Sequence, residues 1–168
     1  QQQVPLVGAV YANLRLDVVL IGEVTRDGDD AAQRMALLIE RSKFLEHLQL
    51  IMLQGIAVAG FNVVDVFYLH QWLGLPVLVT ARQRPNLAAI KSALTKNITA
   101  GAEKWELIQR LGPMEPAGRI FVQRLGLSPA QATHVVEHFA IHSHIPEPIR
   151  MAHLFAGALV DGQSRGCV

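Results

Sequence analysis

Apolar runs alternate with short polar segments along the chain, and their spacing predicts an α/β arrangement. Residues 6–11 and 16–25 are β-rich runs separated by "ANLR", so we expect a β-hairpin that turns at Asn13. The runs at 48–53 and 75–81 are predominantly apolar, which is typical of strands covered on both faces. A further short strand is predicted in "RIFVQRLG".

Segments with helical periodicity lie between and after these strands. "DDAAQRMALLIERS" predicts a helix with a capping box formed by Asp30 and Gln33, and "FNVVDVFYLHQWLG" predicts one that ends at Gly74. Further helices are expected at 87–96, in "AEKWELIQRLG" and at 149–160. Another helix is expected to start at Ser128 and Pro129, with a capping box between Ser128 and Gln131. The order of elements predicts an α/β domain whose later strands are parallel.

Composition narrows the class of protein. A chain of 168 residues with 51% hydrophobic and 17% charged residues is expected to form a single globular domain over 1–168, not a disordered segment. The net charge of +1 excludes a polycation, so any contact with nucleic acid requires a local basic patch. The single Cys167 excludes an internal disulfide framework and favours the cytoplasm. No apolar run approaches the roughly 20 residues of a membrane span.

Polar residues that are able to carry chemistry follow three of the predicted strands. Ligands gather at the carboxyl ends of strands in such sheets, so these segments are the candidate site. They are "RDGDD" with Asp27, Asp29 and Asp30; the turn after the 48–53 run with Gln54, Gly55, Gly60 and Asn62; and "RQRPN" with Arg82 and Arg84.

Two interpretations of these segments stay open. Carboxylates beside guanidinium groups are a suitable setting for a metal ion next to phosphate. Alternatively, acidic residues ahead of a helix cap its N-terminus and complement its dipole. Gly55 and Gly60 predict a tight turn or close backbone approach, since the segment has neither G-K-[ST] nor G-x-G-x-x-G.

The C-terminal third contains "HVVEH", which matches the H-x-x-E-H pattern of inverted zinc proteases. His134 and His138 share a helical face and are able to hold zinc, with Glu137 as base. A further acidic ligand is needed from downstream, where only Glu147 and Asp161 remain. The competing interpretation is a solvated face of histidines that binds no metal.

Two stretches, "GIAVAGFNVVDV" and "IPEPIRMAHLFAGALV", resemble the endonuclease dU family, formerly a domain of unknown function and a distant relative of endonuclease V. The likeness extends through "DGDDAAQRMALLIERS", "GLPVLVT" and "RPNLAAIKSAL", and so covers nearly the whole chain. The resemblance implies an α/β, ribonuclease H-like mixed sheet flanked by helices, endonuclease V-like. It also implies a hydrolase of DNA repair that uses Mg²⁺ or Mn²⁺. Its substrate would be nucleic acid that contains uracil or inosine, with DNA favoured over RNA.

The resemblance also suggests roles for particular residues. The catalytic group it implies is Asp27, Asp30 and His153, because the aspartates match the family's acidic turn and His153 lies where relatives place a polar active-site residue. The implied metal ligands are Asp27, Asp30 and Gln54, and the implied nucleic-acid contacts are Arg82, Arg84, Arg150 and Asn62.

Two departures from the family pattern bear on activity. Gln54 stands in "LQG" where the pattern has L-D-G, and an amide oxygen ligates a hard cation without adding charge. The strand bearing an aspartate that the family implies ahead of the hairpin does not appear in this sequence. Two hypotheses for the function therefore remain open. The chain is either a metal-dependent nuclease, intact or decayed, or a non-catalytic family member that binds nucleic acid or protein. An open sheet would also favour a homodimer.

Overall fold

A computed structural model describes residues 2–164. Cys167 lies outside the described residues. The strands are β1 (Gln3–Ala12), β2 (Arg15–Thr25), β3 (Ile51–Gln54), β4 (Ala57–Val58), β5 (Asn62–Val63), β6 (Val77–Ala81), β7 (Glu115–Ala117) and β8 (Ile120–Leu125). The α-helices are α1 (Ala31–Glu40), α2 (Val66–Leu73), α3 (Leu87–Asn97), α4 (Gly101–Leu111), α5 (Pro129–Phe139) and α6 (Glu147–Asp161), and a short 3-10 helix spans Leu45–His47.

The N-terminal hairpin forms as predicted. β1 and β2 pair antiparallel from Gln3 opposite Thr25 to Ala12 opposite Arg15. Asn13 has φ 52°, a left-handed conformation that asparagine tolerates better than most residues and that closes the tight turn. The hairpin is a sheet of its own, since none of its described residues pairs with another strand.

A four-stranded mixed sheet has the order β3-β6-β8-β7. β3 and β6 are parallel, with Gln54 opposite Thr80, as the sequence predicts. The prediction that the later strands are all parallel is wrong for β8, which runs antiparallel to both β6 and β7. β7 and β8 form a hairpin through Gly118, whose φ of 59° permits the tight reversal, and a strand that enters by such a reversal is antiparallel to its neighbour.

Two predicted helices have different bounds in the structure. α2 begins at Val66, not at residue 61, because β5 first pairs with β4 and the Asp65 carboxylate then accepts a hydrogen bond from Tyr68 N at 3.0 Å. Helical structure at 87–112 divides into α3 and α4. Gly101 lies at the junction, where a Cβ would lie 2.0 Å from the Leu94 carbonyl oxygen, so only glycine fits.

The two predicted capping boxes have different outcomes. At α5, Ser128 Oγ accepts from Gln131 N and the Gln131 side chain accepts from Ser128 N, as predicted. At α1 the predicted box is wrong: Asp30 occupies the N-cap position, but its carboxylate makes no capping hydrogen bond. Asn62 Oδ1 instead accepts from Ala31 N at 3.1 Å.

Helices cover both faces of the four-stranded sheet. On one face, Val77 and Val79 pack with Ala32 of α1 and Leu69 of α2. On the opposite face, Leu78 packs with residues of α5 and α6. This confirms the predicted mixed sheet flanked by helices. No helix among residues 2–164 is long and apolar enough to cross a membrane.

Candidate functional site

The acidic turn, which we define as residues 26–30 between β2 and α1, is built around Asp30. Its Oδ1 accepts from Thr25 N at 3.1 Å and from Asn62 Nδ2 at 2.8 Å, and its Oδ2 accepts from Thr25 Oγ1 at 2.9 Å and Arg34 Nε at 3.1 Å. Burial alone would raise the pKa of Asp30, but these hydrogen bonds outweigh it and lower the pKa below its usual value. Asp30 is therefore an ionised carboxylate whose two oxygens each accept two hydrogen bonds.

Asn62 is the partner that ties this turn to the rest of the fold. Its side chain is completely buried. Nδ2 donates to Thr25 O and Asp30 Oδ1, both at 2.8 Å, while Oδ1 accepts from Ala31 N. The contact of Asn62 with nucleic acid stays a prediction, and in this conformation the side chain connects β2, α1 and β5 and does not face solvent.

Asp27 joins the same turn to the segment between β4 and β5. It has φ 55°, its N donates to Ala59 O at 2.9 Å, and its Oδ1 accepts from Phe61 N at 2.8 Å. A Cβ at Gly60 would lie 2.3 Å from Asp27 Oδ1, and Gly60 has φ 85°. Glycine at position 60 therefore allows the backbone to approach this carboxylate closely. The rest of the Asp27 side chain is exposed.

Lys104 of α4 completes the support, and the sequence analysis did not single it out. The residue is only 5% exposed, and its Nζ donates to Asp27 O at 3.1 Å, Gly28 O at 2.7 Å and Phe61 O at 3.0 Å. Burial lowers the pKa of Lys104, against the opposing attraction of Asp29 and Asp27. A signal existed in the sequence: Lys104 shares the buried face of α4 with Gly101 and Ile108.

Gln54 lies at the carboxyl end of β3 with an exposed side chain. Gly55, with φ 74°, donates from its N to Thr80 O at 2.8 Å, so the chain turns away directly after Gln54. The β4–β5 hairpin then carries the chain from Gly55 to the backbone partners of Asp27. The structure thus connects the end of β3, where Gln54 lies, to the acidic turn through the β4–β5 hairpin.

The two arginines that follow β6 differ in what they contact. Arg84 Nη1 donates to Met114 O at 3.2 Å, and the guanidinium lies 4.8 Å from the centre of the Phe121 ring. The guanidinium of Arg84 is therefore bonded within the fold. Arg82 is exposed, and no hydrogen bond or ion pair joins its side chain to another residue of the described range. Because β3 and β6 are parallel neighbours, Arg82 and Gln54 follow adjacent strand ends.

Arg150 and His153 lie on α6, which packs against β1. Arg150 pairs with the buried Glu147 through Nε and Nη2, at 2.8 and 2.7 Å, and this pairing lowers the pKa of the Glu147 carboxyl. Burial, followed by the charge of Glu147, raises the pKa of Tyr11 beside them.

The position of Tyr11 locates this pair relative to the acidic turn. Tyr11 stands eight residues along β1 from Gln3, so the Arg150 end of the hairpin is about 25 Å from the acidic turn at roughly 3.3 Å per residue. The structure therefore does not bring Arg150 to Asp27 or Asp30. No hydrogen bond within residues 2–164 links His153 to either aspartate.

The histidines of "HVVEH" contact each other and the turn of the first hairpin. The rings of His134 and His138 stack with their centres 6.0 Å apart. His138 Nε2 donates to Asn13 Oδ1 at 2.6 Å, and this hydrogen bond fastens α5 to the turn of the first hairpin.

The described residues by themselves do not fit a magnesium, manganese or zinc centre. No group of three His, Cys, Asp or Glu side chains within residues 2–164 is arranged to hold an ion. Asp30 already accepts four hydrogen bonds, and Gln54 contributes no charge, whereas hard divalent cations prefer several carboxylate or carbonyl oxygens.

Comparison with known sequences identifies the family. The endonuclease dU family model matches residues 1–160. A UPF0215 protein of Deinococcus radiodurans is 48% identical over 97% of this chain and 83% of its own length. A second UPF0215 protein, from Methanosarcina barkeri, is 39% identical over 98% of this chain and 87% of its own length.

Comparison with solved structures supports the fold. A crystal structure of a protein of unknown function from Archaeoglobus fulgidus matches with a TM-score of 0.88 and 31% identity, covering 93% of this chain and 90% of that one. Ciona intestinalis endonuclease V, in complex with a 24mer DNA containing an inosine followed by a ribo-adenosine, matches with a TM-score of 0.55 and 12% identity, over 95% of this chain and 86% of that one. At that identity the likeness shows the fold alone, and it confirms the endonuclease V-like prediction.

Proposed function

Because the chain belongs to the endonuclease dU family, we propose that it binds nucleic acid containing deaminated bases at the edge where β3 and β6 end. The observation that carries the proposal is the exposed pair formed by Gln54 and Arg82 at adjacent strand ends. A guanidinium group suits phosphate, while a glutamine amide both donates to and accepts from the edge of a base. The solved endonuclease V of the same fold is in complex with inosine-containing DNA, which supports this choice of ligand.

Cleavage with Mg²⁺ or Mn²⁺ is the further part of the proposal. The family resemblance supports it, but the ligands within residues 2–164 do not fit a metal centre alone, so it requires a carboxylate from outside them. The alternative is a non-catalytic member that binds nucleic acid without cutting it. The hydrogen-bonded Asp30 and the neutral Gln54 favour that alternative.

Binding is tested with fluorescently labelled DNA duplexes that contain uracil, inosine or neither, at fixed salt because phosphate contacts make affinity salt-dependent. We expect tighter binding of the deaminated duplexes. Equal affinity for all three duplexes would contradict recognition of a deaminated base, and no binding at low salt would remove the nucleic-acid proposal.

Cleavage is tested on the same duplexes with Mg²⁺ or Mn²⁺, together with calorimetric titration of the metals. The Gln54→Asp variant adds the carboxylate of the family pattern, and Gln54→Asn is its uncharged control. Metal binding gained by Gln54→Asp and not by Gln54→Asn supports a decayed nuclease. Cutting by the unaltered protein supports an intact one. If neither protein cuts or binds metal while DNA still binds, residues 1–168 bind nucleic acid without cutting it.

A further inference from the structure

Positive charge is concentrated in one stretch of the chain. Residues 66–102 include Arg82, Arg84, Lys91 and Lys96 but no Asp or Glu, whereas the rest of the chain has 11 Lys and Arg against 14 Asp and Glu. The net charge of this stretch is therefore opposite in sign to that of the remainder. Such a stretch supplies the local basic patch that contact with nucleic acid requires.

Three of these four cations are open to a ligand. Arg82, Lys91 and Lys96 are exposed, and no ion pair among the described residues involves them. The Lys91 ammonium lies 5.7 Å from the centre of the Trp105 ring, a contact that orients the side chain and leaves its charge unneutralised.

Acidic neighbours do not cancel this charge. The first acidic residues after α3 are Glu103 and Glu106 of α4, the helix that packs against α3. Both are exposed, and neither forms an ion pair with a Lys or Arg side chain within residues 2–164.

The position of α3 relates these lysines to the candidate site. The helix begins six residues after β6 ends, and Arg82 is the first residue past that strand. Its last turn leads into α4, whose Lys104 donates to Asp27 O and Gly28 O of the acidic turn. α3 therefore connects the end of β6 to the helix that supports the acidic turn.

A small hydrophobic cluster holds α3 in this position. Leu94 is completely buried and packs with Ile108 of α4 and Val63 of β5. Ile56 and Phe61, which precede β4 and β5, pack against the same cluster. The outer face of α3 is thereby fixed beside the β4–β5 hairpin, the segment that follows the exposed Gln54.

The outer face of α3 suits a phosphate backbone. Because residues three and four apart share a helical face, Ala88, Ser92 and Thr95 lie between Lys91 on one side and Lys96 on the other. Small side chains between the lysines permit close approach of a polymer. The two lysines are about 7.5 Å apart along the axis, roughly two steps of 3.4 Å between the phosphates of one strand.

We propose that this face of α3 binds the backbone of the nucleic acid whose base lies at Gln54, with Lys91 and Lys96 each contacting a phosphate. The inference rests on the proposed function and extends it. The strand ends would choose the base, while α3 adds affinity that does not depend on sequence, because phosphate contacts carry no sequence information.

The test measures affinity for the uracil, inosine and unmodified duplexes over a series of salt concentrations. The double variant Lys91→Gln with Lys96→Gln removes both charges. Each lost phosphate contact reduces the slope of log affinity against log salt by about 0.9, so we expect a reduction of about 1.8. We also expect weaker binding of all three duplexes by the same factor, at least about tenfold at low salt.

Lys43→Gln is the matched control. Lys43 is exposed, and its ammonium lies 5.6 Å from the centre of the Phe44 ring, much as that of Lys91 lies over Trp105. It follows the end of α1 that is about 15 Å from the acidic turn at 1.5 Å per residue. We expect Lys43→Gln to leave the slope unchanged, and urea unfolding checks that every variant is folded.

The possible outcomes separate this inference from the proposed function. DNA binding with the same slope and affinity in the double variant would overturn the role of α3 and leave the proposed function standing. An equal loss in Lys43→Gln would also overturn it, because the effect would then be one of overall charge. Polyglutamate bound as tightly as DNA, and released by the double variant, would assign the face to an acidic protein instead. No DNA binding by the unsubstituted protein would remove the proposed function and this inference with it.

Discussion

The acidic turn and the ends of β3 and β6 lie at one edge of the molecule, but their side chains differ in how they are bonded. In the acidic turn, Asp30 accepts four hydrogen bonds and Asp27 accepts one from Phe61 N. At the strand ends, Gln54 and Arg82 are exposed and make no side-chain hydrogen bond within the described range. A carboxylate at a typical catalytic position, such as that of Asp30, can therefore be structural, while Gln54 and Arg82 at the neighbouring strand ends are open to a ligand.

The reason for the difference lies in the backbone around each region. The ends of β3 and β6 pair with each other in a parallel ladder, up to Gln54 opposite Thr80. The acidic turn joins the end of β2, the start of α1 and the β4–β5 hairpin, which share no ladder. Side chains of Asp27, Asp30, Asn62 and Lys104 supply the missing partners, as buried backbone groups require.

The largest expected effect comes from Asn62→Ala. This change removes three hydrogen bonds of a completely buried side chain and leaves Ala31 N and Thr25 O without those partners. We expect the free energy of unfolding to fall by about 3 kcal/mol. Urea denaturation measures it, with Gln54→Ala as the control expected to stay within about 0.5 kcal/mol. Equal losses of unfolding free energy in the two variants would contradict the conclusion that Asn62 supports the fold and Gln54 does not.

A smaller loss is expected for Lys104→Met, which keeps the apolar stem and removes the ammonium group. Three carbonyls, those of Asp27, Gly28 and Phe61, lose their donor, at an expected cost of about 2 kcal/mol. The matched control is Lys96→Met in the last turn of α3, where the side chain is exposed. Thermal and urea unfolding of both variants provide the comparison, and a stable Lys104→Met protein would show that the turn does not need this support.

The smallest stability effect is expected for Asp30→Asn, about 1 kcal/mol at neutral pH. Because hydrogen bonds lower the pKa of Asp30 in the folded protein, its carboxylate stabilises the fold above the unfolded pKa. That contribution is lost as the pH falls from about 4 through the folded pKa.

The pH dependence distinguishes this residue from its neighbour. The difference in unfolding free energy between the unsubstituted protein and Asp30→Asn should therefore shrink as the pH falls from 5 towards 2. Asp29→Asn removes the same charge from an exposed side chain of the same turn, so it controls for the loss of charge alone. A constant Asp30→Asn difference across this range would contradict the assigned hydrogen bonds.

Local patterns predicted the elements whose hydrogen bonds are local. The turn of the β1–β2 hairpin at Asn13 and the Ser128 capping box follow from residues within a few positions of one another, and the apolar runs predicted the strands β3 and β6. The capping box at Asp30 failed because Asn62, 32 positions away, bonds both its carboxylate and the helix N-terminus. The β4–β5 pairing and the support from Lys104 also depend on contacts between distant segments, and no periodicity in one segment encodes them.

Within the candidate site, the sequence could not show how each side chain is bonded. It grouped Gln54 and the acidic turn, which the structure connects through the β4–β5 hairpin. It could not show that Asn62 is fully buried, that Arg84 bonds Met114 O, or that Arg150 pairs with Glu147 far along the hairpin. These facts depend on which partners the fold brings to each side chain.

The most direct test of the account measures the affinity for uracil-containing DNA and the free energy of unfolding on the same preparations of Arg82→Ala and Asp30→Asn. Arg15→Ala, at the far end of the hairpin, removes the same charge as Arg82→Ala and serves as its control. We predict that Arg82→Ala weakens binding several-fold with unchanged stability, while Asp30→Asn lowers stability and leaves the affinity of the folded protein unchanged. Weaker binding by folded Asp30→Asn, with full affinity retained by Arg82→Ala, would contradict the division of roles between the two regions.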